Sequence, residues 1–79
     1  MVIEHINKTH QASCIAAEGT RQNALAQAVL AGGGSTAVAA AVKASDVAFY
    51  RAVIASAKAN NQPYGQFVEA LSFLGTGGS

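Results

Sequence analysis

The sequence predicts an all-α protein: a helical hairpin with a long, Ala-rich second helix, followed by a short amphipathic third helix. Alanine, the strongest helix former, supplies 18 of the 79 residues. The chain has a single proline, and its eight glycines include a run of three near the middle, where two helices can reverse direction. We therefore expect one small helical domain over residues 1–79.

The N-terminal part of the chain predicts a short arm and then the first helix. Residues 1–8 begin with alternating apolar and polar side chains, which is compatible with an extended arm. The first helix is expected over residues 9–31, with Asn7 or Thr9 as its N-cap. Glycine within a helix costs about 1 kcal/mol relative to alanine, so Gly19 marks a place where this helix can bend or break.

The glycine run lies within the segment AGGGST, residues 31–36. A phosphate-binding P-loop needs a lysine immediately before the Ser/Thr, and this segment has none. A dinucleotide-binding loop needs a preceding strand, but the preceding residues have a helical composition. We therefore expect a turn at residues 32–34, with Ser35 or Thr36 as the next N-cap. The sequence leaves open whether this turn is a closed hairpin or a hinge.

The second helix is expected over residues 35–60, because no glycine or proline occurs between residue 35 and Pro63. Ser45 offers an alternative N-cap at which a new helix can begin. Apolar residues form more than one stripe on this segment, which predicts packing on more than one side. Alanines at three- and four-residue steps allow another backbone to approach closely, although helix propensity alone also explains them. These alanines are Ala37, Ala41, Ala44, Ala48, Ala52, Ala55 and Ala59.

The third helix is expected over residues 63–74, with Pro63 in its first turn and two asparagines ending the helix before it. Its apolar residues recur at the three- and four-residue steps of an amphipathic helix, and we expect that stripe to pack against the hairpin. The stripe consists of Tyr64, Phe67, Val68, Leu71 and Leu74. Residues 75–79, GTGGS, should form a flexible tail of native or vector origin.

Size and charge predict that the chain does not act alone. Only 11% of its residues are charged, against about 25% in an ordinary soluble domain. Few apolar residues are larger than alanine, and Cys14 is the only cysteine, so neither a large core nor an intrachain disulfide is available. Coverage of the surface by other copies of the chain, or by other structural proteins, accounts for both properties.

The charge pattern argues against nucleic-acid and membrane functions. The five basic residues are scattered and the formal net charge is +1, so no cluster is present that would neutralise several phosphates. Residues 22–42 are uncharged, but they are rich in alanine and contain Gln, Asn, Gly, Ser and Thr, which argues against a transmembrane span. Membrane contact is expected only as part of an assembly. No signal peptide is evident at the N-terminus, and a virion or cytoplasmic assembly is favoured.

One face of helix 1 carries a column of chemically active groups. His10, Cys14 and Glu18 are spaced i, i+4 and i+8, so they share this face. The column can hold Zn²⁺, or His10 and Cys14 can act as a base and a thiol nucleophile. Incidental placement is favoured, because a closed zinc site needs four ligands and a lone cysteine is usually a small apolar side chain. We expect no catalytic residue, bound metal or cofactor.

These observations favour a non-enzymatic structural subunit of a symmetric multi-copy assembly. A small phage or virion component (coat, tail or ejection-channel protein) and a filament subunit are two forms of this hypothesis. One alternative is a small helical adaptor or regulator that binds a single partner protein; another is a metal-binding protein that uses His10 and Cys14. The adaptor would be anchored by Phe49, Tyr50, Phe67 and Phe73. The interface expected for the assembly consists of Ala41, Ala48, Phe49, Tyr50, Arg51, Ala52, Ala55, Phe67 and Leu71.

Overall fold

The computed structural model describes residues 7–74, and within this range it contains three α-helices and no β-strand. Helix α1 spans Lys8–Ala31, α2 spans Gly34–Ala59 and α3 spans Gly65–Phe73. The first two helices pack along each other as a hairpin, and α3 packs against α2. The predicted all-α fold, a helical hairpin with a short third helix, is confirmed.

α1 begins with a side-chain cap at Asn7, one of the two caps that the sequence predicts. The Oδ1 atom of Asn7 accepts a hydrogen bond from the backbone N–H of His10 at 2.8 Å, which satisfies one of the free donors of the first turn. Lys8 is already helical. The rest of the arm predicted over residues 1–8, and the whole of the tail predicted over residues 75–79, lie outside the described residues.

α1 continues without a break through Gly19 and Thr20. The hydroxyl of Thr20 donates to the backbone carbonyl of Ala16 at 3.2 Å, so this side chain bonds within its own helix. The break that the sequence allows at Gly19 is absent. Good helix formers on both sides outweigh the roughly 1 kcal/mol that glycine costs.

Each glycine of the turn has its own structural reason. Gly32 ends α1 in the left-handed conformation with φ 70°, and its N–H donates to the carbonyl of Val29. Gly34 has φ 84°, where any other residue would be strained. At Gly33 an added Cβ would lie 2.8 Å from the Cβ of Ala37, which is closer than two carbon atoms can pack. The run therefore reverses the chain between α1 and α2.

The start of α2 differs from the prediction. Its N-cap is Gly33, which makes no side-chain cap hydrogen bond, whereas the sequence predicts Ser35 or Thr36. Both of those residues lie inside the first turn of α2, because the glycine run completes the chain reversal early enough for the helix to begin at Gly34. The predicted side-chain cap is therefore wrong.

The connection from α2 to α3 uses an asparagine where many helices use glycine. Asn61 has φ 56°, the left-handed conformation that asparagine tolerates well, and the N–H of Gln62 donates to the carbonyl of Ala57 at 2.8 Å. α3 begins at Gly65, so Pro63 precedes the helix instead of lying in its first turn. The predicted start is two residues too early.

The buried apolar core of the described residues lies where α2 meets α3. It consists of Val53, Ile54, Ala57 and Leu71. By contrast, α1 contains no buried residue and meets α2 through half-buried side chains. The radius of gyration is 14.4 Å, whereas a compact domain of this length has about 11.6 Å. The chain is elongated, and the outer face of α1 is left uncovered.

Candidate functional site

Arg21 connects α1 to α2 through charged and aromatic side chains. Its Nε donates to Oε1 of Glu18 at 2.8 Å, and its Nη1 donates to Oδ1 of Asp46 at 3.2 Å. Its guanidinium carbon lies 4.5 Å from the centre of the Phe49 ring, which is a cation–π contact. The sequence did not predict this cluster, because Asp46 and Phe49 meet Arg21 only in the register that the hairpin adopts.

The ionisation of the Arg21 cluster indicates a structural role. The hydrogen bond from Arg21, with a second one from Gln22, holds the pKa of Glu18 below its usual value. The same bond to Glu18 is the main cause that raises the pKa of Arg21. Both groups therefore remain charged around neutral pH. A carboxylate held in this way is a weak candidate for acid–base catalysis, which needs a pKa near the working pH.

His10, Cys14 and Ser56 form a second cluster across the hairpin. The Nδ1 atom of His10 lies 2.8 Å from the hydroxyl oxygen of Ser56, and Nε2 lies 3.6 Å from the sulfur of Cys14. The side-chain amide of Asn60 donates to the same Ser56 hydroxyl at 3.4 Å. All four side chains are half-buried. The sulfur of Cys14 also lies 3.9 Å from Nδ1 of His10, so the thiol lies beside both ring nitrogens, and the Ser56 hydroxyl lies against Nδ1.

Only two members of the predicted column on α1 meet in this cluster. His10 and Cys14 come together as their spacing predicts, whereas Glu18 is bound to Arg21. Within residues 7–74, no three His, Cys, Asp or Glu side chains are close enough to share a metal ion. Ser56 was missed, because its pairing with His10 depends on the exact residue about which the hairpin folds back, and the sequence indicates only the three-residue turn.

The exposed part of the predicted interface lies along one side of α2. Ala48, Arg51, Ala52 and Ala55 are exposed, and Ala41 is half-buried. An alanine strip of this kind contributes little area by itself. It does leave the backbone of α2 accessible to close approach by another helix.

The remaining predicted interface residues pack within the chain. The rings of Phe49 and Tyr50 meet edge to face with centroids 5.5 Å apart, and Tyr50 lies 6.1 Å from Phe67 on α3. All three side chains are half-buried, and Leu71 is only 1% exposed. These four residues hold α3 and α1 to α2, so their apolar surface is largely used inside the folded chain.

A cavity of about 90 Å³ lies between α1 and α2. Ala17 and Ala24 line it from α1, and Ala48 and Ala52 line it from α2. Pockets for small organic ligands usually enclose about 300 Å³ or more. This cavity is smaller and mostly apolar, and its size suits a single side chain from a neighbouring helix.

The most exposed large apolar side chains belong to α1 and α3. On α1, Ile15 is 66% exposed, Val29 63% and Leu30 79%, and Phe73 at the end of α3 is 92% exposed. The interface predicted for the assembly omitted all four, although Phe73 was expected as an anchor of the alternative adaptor. The three on α1 were missed because the apolar residues of this helix form no single stripe. The packed and outward faces of this helix have similar polarity, and the sequence therefore did not indicate which one remains uncovered.

None of the helices between residues 7 and 74 is long and apolar enough to cross a bilayer. Comparison of the chain with protein families, curated proteins and solved structures gives no significant match. The function must therefore be argued from the two clusters and the uncovered surfaces themselves.

Proposed function

We propose that this chain is a non-enzymatic structural subunit of a symmetric assembly, in which other copies cover the outer face of α1 and the alanine side of α2. The observation that carries the proposal is the apolar surface that α1 leaves uncovered. This helix of 24 residues buries none of them in the single chain, yet it exposes Ile15, Val29 and Leu30.

Association between copies would remove the exposed apolar side chains of this chain from water. Burying one large aliphatic or aromatic side chain contributes about 1.5–3 kcal/mol. Among residues 7–74, four large apolar side chains remain mostly exposed, namely Ile15, Val29, Leu30 and Phe73, and the buried apolar core also has four members. Association that covers these four side chains would therefore contribute a gross free energy comparable to that of the core. Part of that gain offsets the entropy lost on association.

The low charge content supports the same proposal. A chain in which 11% of residues are charged has a surface poorly suited to a dispersed monomer and well suited to extensive contact with other copies. The small size and alanine-rich helices fit a minor phage or virion component, such as a coat, tail or ejection-channel protein, or a filament subunit. These narrower roles share the same requirement for repeated helix–helix contacts.

The second candidate is an adaptor that binds one partner protein, and it depends on how many aromatic side chains are exposed. It requires Phe49, Tyr50, Phe67 and Phe73 as anchors for one partner protein. Three of them pack against one another or against Arg21 within the chain, and only Phe73 is fully available. This distribution favours self-assembly over an aromatic docking surface.

The experiment measures the mass of the untagged protein by sedimentation velocity over a range of concentrations, together with electron microscopy of the fastest species. We expect the natural chain to form particles of many copies. Combined Ile15→Ser, Leu30→Ser and Phe73→Ser substitutions should shift the distribution towards monomer, because they remove the apolar contacts and leave the core intact.

A matched control replaces exposed polar residues on the same two helices, α1 and α3: Gln11→Ser, Gln27→Ser and Gln66→Ser. It should assemble like the natural chain. A natural chain that sediments as a 7.9 kDa monomer at every concentration would overturn the proposal. A monomer that instead forms a defined complex with one partner would favour the adaptor.

A further inference from the structure

We propose that Leu30 of one copy inserts into the cavity between α1 and α2 of a second copy, and that this is the specific contact between neighbouring subunits. The inference rests on the proposed self-assembly and names one contact within it. Its starting observations are a small apolar cavity at the surface of the hairpin and a leucine that the single chain leaves 79% exposed.

The cavity is a gap in the seam of the hairpin. Four residues of α1 between positions 17 and 24, and four of α2 between positions 45 and 52, line it at i, i+3, i+4 and i+7 of each helix. Residues with this spacing share one face of a helix, so the two faces surround the gap. Among the lining residues, Thr20, Ala24, Ala48 and Ala52 are exposed and border its mouth. A side chain of another helix can therefore enter from outside.

The chemistry of the cavity requires an apolar occupant. Ser45 is only 7% exposed, and its hydroxyl donates to the carbonyl of Val42 in the same helix at 3.0 Å. The guanidinium of Arg21 is bound to Glu18 and Asp46. Across the described part of the chain, every buried side-chain nitrogen and oxygen has a hydrogen-bond partner. A polar occupant would therefore lose its bonds to water without replacing them.

Leu30 matches this cavity better than the other exposed apolar side chains. The cavity measures about 90 Å³, whereas a cavity that takes a whole benzene molecule measures about 150 Å³, so the ring of Phe73 is too large to enter fully. Ile15 lies three residues from Glu18, and burying it would remove that charge from water. Val29 is shorter than leucine and less exposed, at 63%.

The surroundings of Leu30 allow close contact with another helix. Three of the four residues one turn away are Ala26, Gly33 and Gly34, so the leucine side chain protrudes from a surface of small residues. Residues 22–42 carry no charge, so a contact at this end of the hairpin leaves every charge in water. The alanines at the mouth of the cavity allow the incoming backbone to approach closely.

The leucine that fills the cavity must come from a second copy. Leu30 follows Ala24 by six residues, which is about 9 Å along the helix axis, and its exposure shows that it lies outside the cavity of its own chain. The cavity and Leu30 are separate places on the surface. Each copy can therefore give its leucine to one neighbour and receive a leucine from another, so the contact repeats from copy to copy.

The uncovered surface is large enough for such a contact. Among the described helices, α1 packs only against α2. Treated as a cylinder about 36 Å long and 10 Å wide, α1 leaves about 570 Å² on its outer half. A quarter of the surface of α2, its alanine side, adds about 300 Å². A standard interface buries about 800 Å² on each partner, so these two surfaces supply what a stable contact needs.

The test measures association of the untagged full chain by sedimentation velocity over a range of concentrations. Leu30→Ala should weaken association about tenfold or more, whereas Leu30→Met keeps the volume and should assemble like the natural chain. Ala48→Leu places a large side chain at the mouth of the cavity and should weaken association to a similar extent. The matched control Ala59→Leu makes the same change at an exposed position of α2 outside the cavity, and it should assemble normally.

Mixing two variants separates this contact from a general loss of apolar surface. Leu30→Ala keeps its cavity and Ala48→Leu keeps its leucine, so an equimolar mixture should form pairs that neither variant forms alone. In a Cys14→Ala background, chains with Leu30→Cys and chains with Ala48→Cys should form a disulfide-linked pair on mild oxidation, because the proposed contact brings these positions within the reach of a disulfide. Ala59→Cys in place of Ala48→Cys should not.

Specific results would overturn the inference. Ala48→Leu and Ala24→Leu obstruct the cavity from its two sides, and circular dichroism identifies a variant that does not fold, in which case the other one decides. Normal association of a folded variant of this pair would mean that the cavity receives no side chain. Association that is lost in Phe73→Ala and kept in Leu30→Ala would assign the contact to a different residue.

Failure of this contact and failure of the proposed assembly give different results. Particles that persist in Leu30→Ala, with no cross-link between positions 30 and 48, would remove the contact and leave the assembly in place. A natural chain that is monomeric at every concentration would overturn the assembly, and the contact with it.

Discussion

Leu71 attaches α3 to the hairpin, and replacing it with alanine should therefore destabilise the chain more than most single changes. The side chain is 1% exposed and is the one buried residue that α3 contributes to the core. The other core members, Val53, Ile54 and Ala57, all come from α2. Truncation of Leu71 removes the only buried contribution from the third helix.

The expected magnitude follows from burial. Leu→Ala substitutions in cores reduce the free energy of unfolding by about 2–5 kcal/mol, depending on how far the cavity collapses. α3 ends close to Leu71 and can relax, so we expect a loss of about 2–3 kcal/mol. A domain of this length has a total stability of about 4–12 kcal/mol, so the variant would retain a folded state but with a much reduced margin.

The assay is urea unfolding followed by circular dichroism, at concentrations low enough that the midpoint no longer depends on concentration. Leu30→Ala provides a control with identical chemistry at a position that is 79% exposed, and it should change the free energy by less than about 0.5 kcal/mol. Equal effects of the two substitutions would refute the assignment of the core. Undocking of α3 alone would be recognised by a loss of about 15% of the helical signal, since this helix has nine residues against 24 in α1 and 26 in α2.

Three further outcomes are expected. Gly33→Ala should lower the thermal midpoint by an amount equivalent to about 1–3 kcal/mol of stability, because the new Cβ would collide with that of Ala37. Gly19→Ala, in open space on a helix, should raise the midpoint by an amount equivalent to about 0.5–1 kcal/mol. The opposite order would contradict the turn geometry. The pKa of Glu18 is lowered in the folded chain, so its contribution to stability should be present above about pH 4.5 and be lost as the pH falls through the lowered value. Glu18→Gln should remove that part of the pH dependence of stability, measured by urea titration at several pH values. Asn7→Ala should reduce stability by about 1 kcal/mol through loss of the cap, with fraying of the first turn of α1 visible by amide exchange.

The fold could be predicted because it depends on properties that the sequence displays locally. The alanine content indicates helices, the run of three glycines indicates a chain reversal, and the apolar stripe around Leu71 indicates a packed helix face. The ends of the helices were harder to predict. The start of α2 depends on how sharply Gly33 and Gly34 bend the chain, and a possible cap at Ser35 is not needed once the helix has begun before it.

The candidate site was less predictable, because it depends on the register between α1 and α2. The spacing of His10 and Cys14 indicated a shared face, but their partner Ser56 follows His10 by 46 residues. Likewise, Arg21 is paired with a carboxylate 25 residues away. Such pairings can be identified only when the residue about which the hairpin folds back, here Gly33, is known.

The position of the turn at Gly33 helps to explain why the two alanine-rich helices α1 and α2 pack in one register. His10 and Ser56 lie equally far from Gly33 in the chain, and Arg21 and Asp46 are almost symmetric about it. A slip of one helix past the other by one turn moves it by about 5.4 Å. Small side chains such as Ala17, Ala24, Ala48 and Ala52 line the seam and interlock little, so apolar packing alone discriminates weakly between registers. The same slip breaks both polar pairs, whose bonds are directional. The polar clusters therefore specify the register, and this register in turn places Ser56 behind His10 and orients the imidazole towards Cys14.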